Sequence, residues 1–183
     1  MTTTILTEGE GIDWPSEFPA RPEGPASFSE GERAAFLVMG NAGPAWSEMR
    51  FGIYNGHQQQ RLLGTAREES LETTEMWFRL INLRCAVPVF GNTWRKGSNF
   101  WMRQPGWALG FYKRAHRSEV FTISDPFGRP DEGGAALISE QDGERRRIIL
   151  VDGSTAVRWL RAQQWEVRET LKEAVRLGDP VAR

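Results

Sequence analysis

Thirteen residues near the C-terminus constrain this chain most: Ile148-Ile149-Leu150-Val151-Asp152-Gly153-Ser154-Thr155-Ala156-Val157-Arg158-Trp159-Leu160. Four apolar residues run straight into Asp-Gly, a hydroxyl pair follows, and an amphipathic stretch begins. That order reads as a buried strand, a sharp turn and a helix N-terminus. Such a corner points backbone N–H groups outward, where a phosphate can be held. Its plainer reading is a helix cap by Ser154 or Thr155, worth about 1 kcal/mol. The two readings are compatible.

Composition narrows the setting. With 183 residues the simplest expectation is one domain carrying a tail, large enough to bury a core without staples. A single cysteine, Cys85, excludes an internal disulfide and most cysteine-based metal sites. The N-terminus lacks the basic start and apolar run of a signal peptide, and no apolar run is long enough to be a transmembrane segment, so a cytoplasmic location is expected. The net charge of −1 hides an asymmetry. Residues 1–75 carry twelve acids against five bases, whereas residues 76–118 carry eight bases and no acid. A neutral chain with one strongly positive band is suited to a polyanion.

Along the chain, residues 1–32 are acidic and punctuated by Pro15, Pro19, Pro22 and Pro25, which predicts an extended arm pinned by Trp14, Phe18 and Phe28. Residues 34–39 predict a strand. Residues 49–54 and 57–63 flank Asn55-Gly56 and predict a hairpin. Apolar or small residues at Leu71, Thr74, Phe78, Ile81 and Cys85 predict a helix over 70–85, stopped by Pro88, with Trp77 and Phe78 in the core. Residues 89–117 alternate aromatics and glycines with bases, and 97–107 read as an external loop. Strands are predicted at 119–124, 135–141 and 145–151, with a loop at 125–134. One helix is predicted over 155–177, with Val157, Leu160, Gln164, Val167, Leu171 and Ala174 inward, ended by Gly178 and Pro180. The fold class expected is α+β, a single domain over 33–183 with a small mixed sheet and flanking helices.

Within the acid-free band, bases interleave with aromatics as single-strand binding requires, since base stacking on an aromatic is worth about 1–3 kcal/mol and tolerates any sequence. The DNA-binding candidates are Arg95, Lys96, Trp101, Arg103, Lys113, Arg114 and Arg117. Core aromatics with snorkelling bases would give the same pattern. His57 and His116 belong to no ligand-spaced pair, and no P-loop is present.

The strand, Asp152-Gly153, the small pair Ser154-Thr155 and the helix resemble the signature corner of the ParB/sulfiredoxin superfamily, and the resemblance covers roughly 119–177. The family's usual corner has His-Arg after Asp-Gly and one intervening residue, where this chain has Thr155-Ala156. Sulfiredoxins carry their nucleophilic cysteine at the position of Ser154, so sulfinic-acid reduction is not expected. Gly143-Glu144-Arg145-Arg146-Arg147 imitates the Gly-Glu-Arg-Arg box of partitioning ParB proteins but precedes the strand, and it reads as a charged turn and edge strand. Size and the divergent corner resemble plasmid fertility inhibition factors of the Osa type.

That resemblance implies an inhibitor of conjugative DNA transfer through type IV secretion, with DNase activity and ATP hydrolysis. It implies DNA as the partner, a transferred single strand or a duplex, and a place in the cytoplasm or against the inner membrane through secretion coupling components. Hydrolysis would need an activated water and a divalent metal, Mg²⁺ or Mn²⁺. The catalytic candidates are the carboxylates nearest the corner, Glu140, Asp142, Glu144 and Asp152. Gly153, Ser154, Thr155, Arg145, Arg146 and Arg158 are the candidates for holding ATP. The lost His-Arg leaves open a non-catalytic inhibitor that binds DNA or a secretion component.

Overall fold

The computed structural model describes residues 3–54, 62–93, 104–114, 133–142 and 145–177. The chain runs through β1 (Thr4–Leu6), β2 (Ser27–Ser29), β3 (Arg33–Gly40), β4 (Gly43–Arg50), β5 (Ile53–Tyr54), β6 (Leu62–Leu63), β7 (Thr65–Arg67) and α1 (Glu75–Leu80). It continues through β8 (Arg84–Val89), β9 (Gly91–Thr93), β10 (Gly106–Lys113), β11 (Gly134–Asp142), β12 (Arg145–Ile148) and β13 (Leu150–Val151). The last helices are α2 (Gly153–Arg161) and α3 (Val167–Glu173).

Eight strands form the central sheet, in the order β12-β11-β10-β8-β3-β4, with β13 beside β10 and β7 beside β11. Neighbours are antiparallel except β7 and β11. Past β4 the sheet turns back on itself. Phe51 bridges Ala135, and the Gly52 N–H donates to the Ala135 carbonyl at 2.6 Å. A Cβ on Gly134 would run into the Gly52 carbonyl, so only glycine fits where these backbones meet.

Side chains alternate between the two faces. Leu37, Ala86, Leu109, Ala136 and Ile138 face the helices, against Trp77, Leu80, Trp159, Leu160, Val167 and Leu171. Phe36, Cys85, Val87, Ala108 and Leu137 face the other way, against Ile5 and Phe28. Those two residues belong to the small sheet β2-β1-β9. A sheet apolar on both faces needs two covers, and the acidic N-terminal segment supplies the second. The fold is therefore a small α+β domain dominated by an antiparallel sheet. No helix among the described residues is long and apolar enough to cross a membrane.

Several local expectations are corrected. Residues 70–85 are not one helix. A 3-10 turn spans Glu68–Ser70, α1 covers only Glu75–Leu80, and Arg84–Val89 is a buried strand with Pro88 opposite Trp107. A strand buried on both faces shows no alternation and so imitates a helical stripe. Phe78 is 55% exposed while Trp77 is buried, because adjacent helical positions point about 100° apart. Trp107, expected in an external loop, is fully buried in β10. Strand β4 was not anticipated. Of the predicted hairpin, Ile53 pairs with Leu63 and Tyr54 with Leu62, whereas Met49 belongs to β4.

The C-terminal helix is broken. Ala162 and Gln163 take extended backbone, with ψ 140° and 162°, and the Gln163 N–H is held by the Glu166 carboxylate at 2.6 Å. Gln164, expected inward, is exposed. The predicted turn at 55–56, strand at 119–124 and most of the loop at 125–134 lie outside the described residues.

Candidate nucleic-acid interface at the two ends of one helix

Helix α2 begins at Gly153, and its cap is Asp152 rather than Ser154 or Thr155. The Asp152 carboxylate accepts from the Thr155 N–H at 2.8 Å and from the Ser154 hydroxyl at 3.2 Å. Burial raises the Asp152 pKa, but these hydrogen bonds outweigh it, and the group ends below its ordinary value. A second carboxylate reaches the same turn from the arm, where Asp13 Oδ2 accepts from the Gly153 N–H at 3.2 Å. The arm is fixed there because Trp107 Nε1 donates to the Asp13 carbonyl at 2.8 Å. A Cβ on Gly153 would lie 2.7 Å from Pro15 Cγ.

The corner therefore has the strand, turn and helix that the sequence implied, but its Gly153 and Thr155 N–H groups already serve carboxylates of the chain. A nucleotide phosphate there would meet Asp13 and Asp152. As arranged, the Gly153 and Thr155 N–H groups are not open to a phosphate. Arg158, three positions beyond Thr155, pairs with Glu173 of α3 at 2.7 Å.

Of the candidate catalytic carboxylates, Glu140 and Asp152 each have their own separate partners. Glu140, on β11, is largely buried and pairs with Arg147 at 2.6 Å and with Arg176 at 3.7 Å. Arg146 pairs with Glu69 at 2.7 Å and donates to the Gln141 side chain at 3.1 Å, and Arg176 also pairs with Glu68 at 2.7 Å. The Arg146 hydrogen bond draws the Glu69 pKa below its ordinary value. This cross-strand network ties the 3-10 turn to the sheet edge, and Glu140 and Arg146 are structural members of it. Asp142 and Arg145 are backbone register partners at the end of the β11–β12 ladder. Glu144 lies outside the described residues. Among the described residues, no group of three or more His, Cys, Asp or Glu could hold a metal ion.

The other end of α2 is different. Arg84 is buried beneath it and donates from Nε to the Trp159 carbonyl and from Nη1 to the Ile81 carbonyl, both at 2.7 Å, and from Nη2 to the Ala162 carbonyl. Burial lowers the Arg84 pKa, yet a guanidinium keeps its charge. It satisfies carbonyls that a helix end leaves open and offsets the negative end of the dipole.

Above Arg84 opens a groove of about 480 Å³. Its walls include Asn82, Tyr112, Arg114, Arg161, Gln163 and Gln164. None of the described lining residues is acidic. Arg161 reaches Glu17 of the arm at 3.1 Å in an exposed pair, an interaction worth about 0–1 kcal/mol.

Of the DNA-binding candidates, Arg114 lines this groove, whereas Lys113, the last residue of β10, does not. Arg95, Lys96, Trp101, Arg103 and Arg117 lie outside the described residues, as do His57 and His116. Arg161, Asn82, Gln163 and Gln164 were missed, as was Asp13. Arg161 lies far outside the acid-free band, and only the folded chain brings it to Arg114. The Gln163-x-x-Glu166 capping pattern was a readable signal that the helix breaks there.

No protein-family profile matches this chain, and no curated protein matches it. Solved structures do. A phage-related protein from Bordetella bronchiseptica is 17% identical with a TM-score of 0.66, over 94% of this chain and 88% of that one. A second Bordetella bronchiseptica protein is 13% identical with a TM-score of 0.63, over 97% and 99%. A Bacteroides thetaiotaomicron protein is 15% identical with a TM-score of 0.55, over 77% and 68%. These likenesses show a shared fold, a mixed α+β arrangement.

Proposed function

We propose that this protein binds DNA and inhibits its transfer by occupancy rather than by cutting it, as a plasmid fertility inhibition factor on a ParB/sulfiredoxin-like scaffold. The observation that carries the reading is the gathering of Arg84, Arg114 and Arg161 at one end of α2, around a cavity with no acid among its described lining residues. The strand–Asp152-Gly153–helix order supports the scaffold assignment. Occupancy is favoured over hydrolysis because Glu140 is engaged by two arginines and Asp152 by the helix it caps. A carboxylate spent on such partners is a poor activator of water.

The test is DNA binding by fluorescence anisotropy across a salt series, alongside incubation of plasmid and single-stranded DNA with Mg²⁺ or Mn²⁺, with and without ATP. The expected result is intact DNA and an affinity that falls with salt, with a log–log slope of about −0.7 per strand phosphate neutralised. Salt-independent affinity overturns the polyanion reading. Metal-dependent cleavage that disappears in Asp152→Ala or Glu140→Ala overturns occupancy in favour of a nuclease.

A further inference from the structure

The groove at the C-terminal end of α2 is a concave pocket rather than a flat basic face. It is an open hollow of about 480 Å³, large enough to seat one nucleotide unit. Its arginines are joined by three carboxamides, Asn82, Gln163 and Gln164, and by Tyr112. Carboxamides donate and accept at once, which suits them to the edges of an unpaired base.

Trp165 follows Gln164 directly and is 76% exposed, the most exposed large apolar side chain among the described residues. It stands between Gln164, which lines the groove, and Glu166, which lines a second hollow with Arg158, Arg161 and Glu169. Trp165 lines neither hollow, but an exposed indole next in the chain to a groove-lining residue offers a stacking surface. Neither Trp165 nor Arg161 is in the acid-free band that suggested nucleic acid in the first place.

We infer that this groove takes one unstacked nucleotide of a single strand. Arg114 and Arg161 hold the backbone phosphates, the carboxamides meet the base, and Trp165 stacks the neighbouring base. Arg84 supplies charge from below without contacting the ligand, because its donors serve helix-end carbonyls. The Arg161–Glu17 pair opens as phosphate replaces the carboxylate. The inference rests on the DNA-binding reading above and sharpens it to single strands.

The experiment compares a fluorescent single-stranded oligonucleotide, the duplex of the same sequence and free ATP at one fixed salt concentration. It uses the whole chain and its Trp165→Ala and Arg161→Ala variants. Both substituted side chains are exposed, so far-ultraviolet circular dichroism should match the parent. The expected result is single-strand binding at least tenfold tighter than duplex or ATP, with a loss of about tenfold in Trp165→Ala. Arg161→Ala should weaken the single strand and flatten its salt slope. Equal affinity for single strand and duplex, unchanged in Trp165→Ala, overturns this inference while DNA binding stands. Tighter binding of free ATP than of the oligonucleotide overturns it in favour of a mononucleotide pocket. No binding of either DNA overturns the DNA-binding reading itself.

Discussion

At its first turn α2 meets two carboxylates, a proline and a tryptophan-held backbone; at its last turn it meets a buried arginine and open space. Helix physics alone would favour the opposite assignment, because the N-terminus is the anion-binding end. The arm reverses it. Asp13 and Asp152 act as the anions at the first turn, while Arg84 removes the unfavourable dipole at the last. Which end of a helix can take a ligand thus depends on what the rest of the chain has already placed there.

The largest perturbation should come from the residue that anchors α2 to the sheet. Trp159 is fully buried and donates to the Cys85 carbonyl at 3.2 Å and the Gly110 carbonyl at 3.3 Å. Trp159→Ala should cost about 4 kcal/mol in urea unfolding and loosen both ends together. Arg84→Met should act at one end only. Leaving the Trp159, Ile81 and Ala162 carbonyls without their donor should cost about 3 kcal/mol and weaken DNA binding, with the corner amides unchanged in hydrogen exchange. If affinity instead survives Arg84→Met at full strength, the groove does not depend on charge from below.

Gly153→Ala tests the sealed end. Alanine favours a helix by about 1 kcal/mol over glycine, but its Cβ would press on Pro15, and such overpacking costs about 1–3 kcal/mol. A net loss, with protease sensitivity rising in the arm, is expected. A gain in stability would mean that the arm packs loosely there.

The smallest effect belongs to the cap. Asp152→Ala should cost about 1 kcal/mol. The folded Asp152 pKa is lowered, so its contribution is complete above the ordinary carboxylate range and is lost as pH falls through the folded value. The parent and Asp152→Asn should therefore differ in the steepness of acid unfolding, with the asparagine less sensitive. Identical acid profiles would assign the cap no charge component.

Where the sequence was legible, one element dominated its own neighbourhood. Asp152-Gly153 and the start of α2 follow from a turn dipeptide and a helical stripe; the strand read over 145–151 is instead two strands, 145–148 beside β11 and 150–151 beside β10. The 53–54 and 62–63 segments do pair, but a two-residue Asn55-Gly56 turn would set Ile53 opposite Gln58 rather than Leu63, so the hairpin's register was not legible. Strand β8 was not legible either, because burial on both faces erases alternation, and β4 was not because its residues are half-exposed and of mixed type. The candidate site was less legible still. Arg114 was readable from the basic band, but its partner Arg161 is 47 positions away.

By itself, then, the sequence determined local matters: the strand–turn–helix corner, the positive band, the acidic arm and the absence of an internal disulfide. These depend on neighbours within a turn or two of chain, or on counting. Only the tertiary structure decided that the arm would cover one face of the sheet and place Asp13 on the corner, and that Glu140 would be spent on Arg147 and Arg176. It also decided that arginines from β8, the end of β10 and α2 would meet. Those outcomes are contacts between distant segments, set by which apolar faces must be buried together. No local pattern encodes where a charged side chain lands once they are.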